Sequence, residues 1–201
     1  ANVVLADEIN RAPAKVQSAL LEAMQEGQVT LGKESHDLPR PFLVMATQNP
    51  IESEGVYSLP EAQRDRFLMK VLVDYPTGAE EIEIIRRMGT VPPTVEQVLE
   101  VDDLVAWQKR ALTMIVDQGV LEYAVNLVLA TRTPAAYGLD DLTPMIEFGA
   151  SPRASLGLVS AGRAMALLRG RDYVVPQDVF DVAPDVLRHR IVFFNDTATT
   201  E

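Results

Sequence analysis

Residues 3–8 read Val-Val-Leu-Ala-Asp-Glu, and residues 42–50 read Phe-Leu-Val-Met-Ala-Thr-Gln-Asn-Pro. Each is a short apolar run that stops at polar groups. Runs of this kind are the pattern of strands buried on both faces, as in a parallel sheet. Between them the spacing predicts a helix. Asn10 is placed to cap it, and Pro13 falls in the first turn, where a missing N–H is tolerated. Ala12, Val16, Ala19, Leu20, Ala23 and Met24 recur at helical spacing as far as Gly27. Gln28–Leu31 and the polar stretch from Gly32 to Pro41 predict a hairpin or loop. Pro60–Phe67 predicts a short helix, and Leu68–Val73 a third strand. Strand, helix, strand, helix, strand over residues 1–75 predicts a largely parallel α/β sheet.

The pattern changes at Asp74-Tyr75-Pro76-Thr77-Gly78. Only helical patterns follow, at Ala79–Met88, Val101–Val116, Val120–Arg132, Pro152–Arg169 and Pro176–Arg188. Pro184 is expected to kink or interrupt the last of these. A domain boundary near residue 76 separates a first unit, 1–75, from a helical unit, 76–190. The tail, 191–201, has no period. Its string Phe193-Phe194-Asn195-Asp196-Thr197-Ala198-Thr199-Thr200-Glu201 resembles translated adaptor read-through and is left out of the fold.

The 201 residues are 47% hydrophobic, a globular rather than disordered composition. No run approaches the ~20 apolar residues of a membrane span. No signal peptide is read, and the start at Ala1, within an apolar run, is expected to lie inside a domain. There is no cysteine, which excludes disulfides and thiolate metal sites. A net charge of −11 argues against a nucleic-acid coat. His36 and His189 are not spaced as metal ligands. Neither Gly-x-Ser-x-Gly nor Gly-x-Gly-x-x-Gly occurs.

Four places can carry chemistry. Asp7 and Glu8 stand at the C-terminal end of a parallel strand, the edge where α/β sheets bind ligands. In nucleoside triphosphatases a first carboxylate there holds Mg²⁺ through water, and a second polarises the attacking water. Equally, an Asp-Glu pair opens a helix well, because negative charge suits its dipole. Asn49 ends the second strand; it is placed to touch a γ-phosphate or a water, or simply to make an Asn-Pro turn. Arg66 closes the short helix. It can pair with Asp65 or Glu61, or project as an arginine finger, with Arg64 competing for that role. Ser151-Pro152-Arg153 opens a helix with a cation that the dipole does not favour. That asks for a partner, either a phosphate or a nearby acid.

Taken in order, VVLADEINRAPAKVQSALLEAMQEGQVTL, PFLVMATQNP, GVYSLPEAQRDRFLMKVLVDYP and GASPRASLGLVSAGRAMALLRGRDYVVPQDV resemble the MoxR family of AAA+ ATPases over residues 1–190. The resemblance implies a partial P-loop-type parallel sheet followed by an all-α lid. It implies that Asp7 and Glu8 are the Walker B acids, as Mg²⁺ contact and catalytic base, and that Asn49 is sensor 1. Arg66 matches the arginine finger acting on the adjacent protomer, and Arg153 matches sensor 2. Gln28–Pro39 resembles a hairpin insertion facing the ring pore or a client. Arg64 stands where relatives commonly carry an apolar residue.

The same resemblance implies ATP and Mg²⁺ as cofactors and a homo-oligomeric, hexameric ring in the cytoplasm. Proteins with von Willebrand factor A domains would be partners, with neither nucleic acid nor membrane insertion. The chain has no G-x-x-x-x-G-K-[ST], the loop that cradles the phosphates. It is therefore read as the C-terminal part of such an ATPase, inactive alone. In the family's sheet the first strand, lost with that loop, lies between those matching 42–46 and 68–73. Two apolar strand edges are then left unpaired and prone to aggregate, while residues 76–190 are expected to fold alone. Two other readings are a related machine such as a magnesium chelatase ATPase subunit, and a scaffold with a degenerate nucleotide site.

Overall fold

The computed structural model describes residues 1–48, 59–89 and 94–194. Strand β1 (Val3–Ala6) leads through a 3-10 turn at Ile9–Arg11 into helix α1 (Ala14–Glu26). The helix starts later than expected, because Asn10 does not cap it. Ala12 is extended at φ −74° and ψ 141°, as the residue before a proline prefers. A helix cannot run from Asn10 through that conformation, so Pro13 stands at its cap instead. Gly27 ends it at φ 65°, a left-handed position that glycine takes without a Cβ penalty.

Strands β2 (Gln28–Leu31) and β3 (Glu34–Asp37) form the expected hairpin, with Gln28 opposite Asp37 and Leu31 opposite Glu34. β4 (Leu43–Ala46) pairs parallel with β1, from Val3–Leu43 to Ala6–Ala46. Parallel strands joined through a helix make the α/β unit that the alternation predicts. Both strands carry apolar side chains that remain open, Leu5 being 61% exposed.

After the short helix α2 (Glu61–Arg64) the expected third strand, Leu68–Val73, does not form. Among the described residues it joins no ladder, and Val73 is 90% exposed. A strand persists only where its N–H and C=O groups find another strand. This run has no such neighbour. Its first residues turn to the helical part instead: Met69 packs on the helical core, and the Lys70 N–H donates to the Asp185 carbonyl at 2.8 Å.

The remaining helices stand close to where the periodicity puts them: α3 (Gly78–Met88), α4 (Val101–Leu112), α5 (Gln118–Arg132), α6 (Pro152–Leu168) and α7 (Pro176–Leu187). Thr77 and Glu80 form a capping box at the start of α3. α7 runs through Pro184 without interruption. Proline withholds only its bond to the Phe180 carbonyl, and Phe180 is exposed to water. The helical half also holds an antiparallel pair, β5 (Ile146–Phe148) with β6 (Val192–Phe193). Strands this short show no alternation in sequence. The pairing takes Phe193 into the fold, and the Phe194 N–H donates to the Met145 carbonyl at 3.1 Å. The tail from residue 195 onward lies outside the described residues.

The core sits between α5, α6 and α7, around Val128, Leu158, Val179 and Val186. Small residues on α6 let α7 come close. A Cβ on Gly157 would meet Val186 Cγ1 at 3.1 Å, and one on Gly162 would meet Val179 Cγ2 at 3.3 Å.

Candidate functional site

The acidic end is built by β1 and β4. Because the strands are parallel and in register, residues 7 and 47 leave the ladder side by side. The Thr47 N–H donates to the Ala6 carbonyl at 3.0 Å, and the Ile9 N–H to the Thr47 carbonyl at 3.0 Å. The Thr47 hydroxyl donates to the Asp7 carboxylate and accepts from the Glu8 N–H at 2.9 Å. Glu8 itself takes φ 48°, a left-handed conformation that is costly for a non-glycine residue. Its carboxylate forms an ion pair with Arg11 at 3.2 Å. Asp7 is exposed and Glu8 partly so. Two accessible carboxylates at a strand end suit Mg²⁺, which keeps several waters and takes one or two carboxylates together with substrate phosphates. Among the described residues no cage of three acidic or histidine groups competes with them. Asn49 lies outside the described residues.

The basic end is built by α2, the start of α6 and the residues after α7. Arg66 and Arg153 line one open cavity of about 220 Å³, together with Asp65, Leu68, Gly157 and Arg190. Arg66 is exposed and, among the described residues, makes no ion pair with Asp65 or Glu61. Arg64 is half-buried, and its Nε has no partner among the described residues. Arg153 reaches Asp65 at 3.2 Å while 48% of its side chain stays exposed. The nearby acid is therefore present, and the guanidinium keeps donors open toward the cavity.

Asp65 is the junction. Its carboxylate accepts from the Ser151 hydroxyl at 2.9 and 2.8 Å, from Arg153 Nη1 at 3.2 Å and from Arg190 Nε at 3.0 Å. Burial by itself would raise this carboxyl's pKa. The hydrogen bonds from Ser151, Arg153 and Arg190 outweigh it and hold the group below the usual carboxylate range. Ser151 also caps α6, accepting from the Arg153 N–H at 3.1 Å. His189 lies behind, its Nε2 at 3.0 Å from the Phe67 carbonyl. A carbonyl only accepts, so Nε2 carries the proton. Burial pushes the imidazole down to about 4, against the pull of the Phe67 carbonyl.

Comparison with known proteins places this arrangement. Family models match at residues 1–69, the ATPase family associated with various cellular activities (AAA), and at residues 141–201, the AAA lid domain. The chain is 58% identical over 201 residues to Chaperone MoxR1 of Mycobacterium tuberculosis, covering 100% of this chain and 53% of that protein. The chain belongs to the MoxR family of AAA+ ATPases. Another relative, the uncharacterized protein YeaC of Bacillus subtilis, is 45% identical over 95% of this chain and 58% of its own length. This MoxR chain thus spans about half the length of the curated relatives it matches. A crystal structure of a candidate ATPase from Cytophaga hutchinsonii superposes with a TM-score of 0.92 at 45% identity, over 97% of this chain and 60% of that one. A magnesium-chelatase 38 kDa subunit of Acidiphilium rubrum is more distant, at 29% identity.

Within the MoxR chain the candidate residues fall into two groups. Asp7 and Glu8 share Thr47, while Arg66 and Arg153 share the cavity beside Asp65. Among the described residues no hydrogen bond or ion pair joins one group to the other. Thr47, Ser151 and Arg190 received no binding partner from sequence reasoning. Thr47 carried a weak signal, as the polar residue ending a strand whose parallel neighbour ends in acids. Arg190 carried none, because all its acceptors except the Val186 carbonyl lie more than a hundred residues earlier.

Proposed function

We propose that the full-length protein is a ring-forming Mg²⁺-ATP hydrolase, a hexamer that couples turnover to remodelling or maturation of a client complex. The observation that carries this reading is the acid pair at the carboxyl edge of the parallel β1–β4 ladder, with Asp7 accepting from Thr47 and Glu8 held in a left-handed turn. Asp7 would hold, through water, the Mg²⁺ that neutralises charge on the phosphate oxygens. Glu8 would orient a water and accept its proton as that water attacks the γ-phosphate. Arg153 would reach the phosphate from the lid, and Asn49 would position the water. Arg66, exposed in the same cavity as Arg153, suits a finger that reaches an adjacent protomer's nucleotide. Coupling between subunits then follows, since each active site would need its neighbour. The exposed β2–β3 hairpin would face the pore or client. Proteins with von Willebrand factor A domains are the partners proposed on family grounds.

The test uses the full-length protein. Glu8→Gln should retain ATP binding and lower turnover by about a hundredfold or more, the size of a lost general base. Unchanged turnover would remove the base assignment. Arg66→Ala should lower turnover with binding preserved; if Arg64→Ala does so and Arg66→Ala does not, the finger is Arg64. A wild-type protein that binds ATP without hydrolysing it would instead favour the scaffold reading.

A further inference from the structure

We propose that Arg190 and Asp65 are positioning residues that fasten the Arg66 segment to the helical lid, so that Arg66 and Arg153 move as one body. This rests on the reading of Arg66 as the finger. The guanidinium of Arg190 is buried, with 3% of its side chain exposed. Its five N–H donors all find acceptors. Nε donates to the Asp65 carboxylate at 3.0 Å. Nη1 donates to the carbonyls of Leu68, at 3.0 Å, and Val186. Nη2 donates to the carbonyls of Asp65, at 3.1 Å, and Phe67, at 2.6 Å. Three of these carbonyls, at 65, 67 and 68, flank Arg66 on both sides, while none of the five bonds goes to the Arg66 side chain. The guanidinium therefore grips the backbone that aims Arg66.

Asp65 completes the fastening from the other direction. The carboxylate that pairs with Arg190 also accepts from Ser151 and Arg153 at the start of α6. The Phe67 carbonyl takes a further bond from His189, and the Lys70 N–H bonds Asp185 on α7. The strand–helix alternation groups residues 65–70 with the first unit of the chain. Their bonds run to α6 and to the residues at and beyond α7. A change in lid angle would then carry both arginines together, and release of the clamp would leave Arg66 free of Arg153. A planar fork is needed for this, since lysine, with three donors on a flexible stem, cannot meet the same five acceptors.

Asp65→Asn and Arg190→Lys in the full-length protein test the clamp. Asp65→Asn preserves size and keeps an acceptor for Ser151, so the fold should survive even where Arg190→Lys does not. Both should lower kcat toward the Arg66→Ala value, by about tenfold to a hundredfold, the scale of a misplaced group. KM for ATP should stay within about twofold in Arg190→Lys, because that change leaves Arg153 and its Asp65 partner in place. In an Arg66→Ala background, Arg190→Lys, which leaves the Asp65–Arg153 pair in place, should add nothing further; effects that multiply would overturn the coupling through Arg66. Hydrogen exchange at residues 65–70 should rise in Asp65→Asn, and unchanged exchange would overturn the clamp itself. If exchange rises while Arg66→Ala is without effect, the clamp stands and the finger assignment fails.

Discussion

His189 and Asp65 border the same stretch of backbone, and both depart from their ordinary titration. Burial holds the His189 pKa near 4, below the 6.5 expected in an unfolded chain. Between those values the unfolded state takes up a proton that the folded state refuses, so stability falls as pH falls through that window. Asp65 and Asp178 have folded pKa values lowered by their arginine and backbone partners, against burial that would raise them. Their contribution is complete above the ordinary carboxylate range and is lost as pH drops below it. The urea midpoint of the helical half should therefore decline first between pH 6.5 and about 4, then more steeply. His189→Gln should flatten the first decline and leave the second. A wild-type midpoint that is constant across the first window would show that the imidazole is not buried neutral.

At the scale of elements, close packing of the helical half depends on where side chains are missing. Gly149 follows β5 against the end of α5, and a Cβ there would meet the Thr131 carbonyl oxygen at 2.4 Å. That neighbour is backbone and cannot rotate away. Gly157 has only side chains beside it, Val186 Cγ1 at 3.1 Å and Leu68 Cδ1 at 3.4 Å. Gly149→Ala should then cost about 1–3 kcal/mol, the range of an overpacked site, and Gly157→Ala clearly less. Thermal melts of the two variants decide the order; equal losses would mean that the β5 region yields more easily than its packing indicates. The failed strand at Leu68–Val73 belongs at this scale too. Its composition suits a strand, yet an element whose backbone needs a partner takes whichever partner is present.

Across the whole molecule the two halves differ in how far they are covered. The helical half buries a contiguous core, while β1, β4, residues 71–75 and α3 leave apolar side chains open. Among the described residues no helix is long and apolar enough to cross a membrane. Open strand edges and apolar faces favour association, so the 201-residue chain should sediment heavier as concentration rises. The bonds of Arg190 and His189 to Asp65–Leu68 set where a soluble piece must begin. A chain of residues 59–194 should be more stable than one of 76–194, by roughly 3–5 kcal/mol, the cost of stranding a buried charge. Urea unfolding of both pieces measures it. Equal stability would mean that Arg190 finds other partners, and the clamp would lose its energetic basis.

Much of this protein was legible along the chain. The apolar runs ending in Asp7-Glu8 and in Thr47-Gln48, the period of α1, the Ser151-Pro152 start of α6 and the extents of α5 and α7 are local in origin. Burial pattern, caps and turn residues act over a few positions, so a reader of sequence meets cause and effect together. The acids and arginines were visible as candidates for the same reason. What each one touches was not. Thr47 bracing Asp7, Asp65 choosing Arg153 and Arg190 over its neighbour Arg66, and residues 65–70 joining the lid depend on segments 40 to 125 residues apart. Hydrogen-bond partners are selected by which backbone and side-chain groups the packing buries together, because leaving a buried polar group without one is costly. That selection is made by the tertiary structure alone.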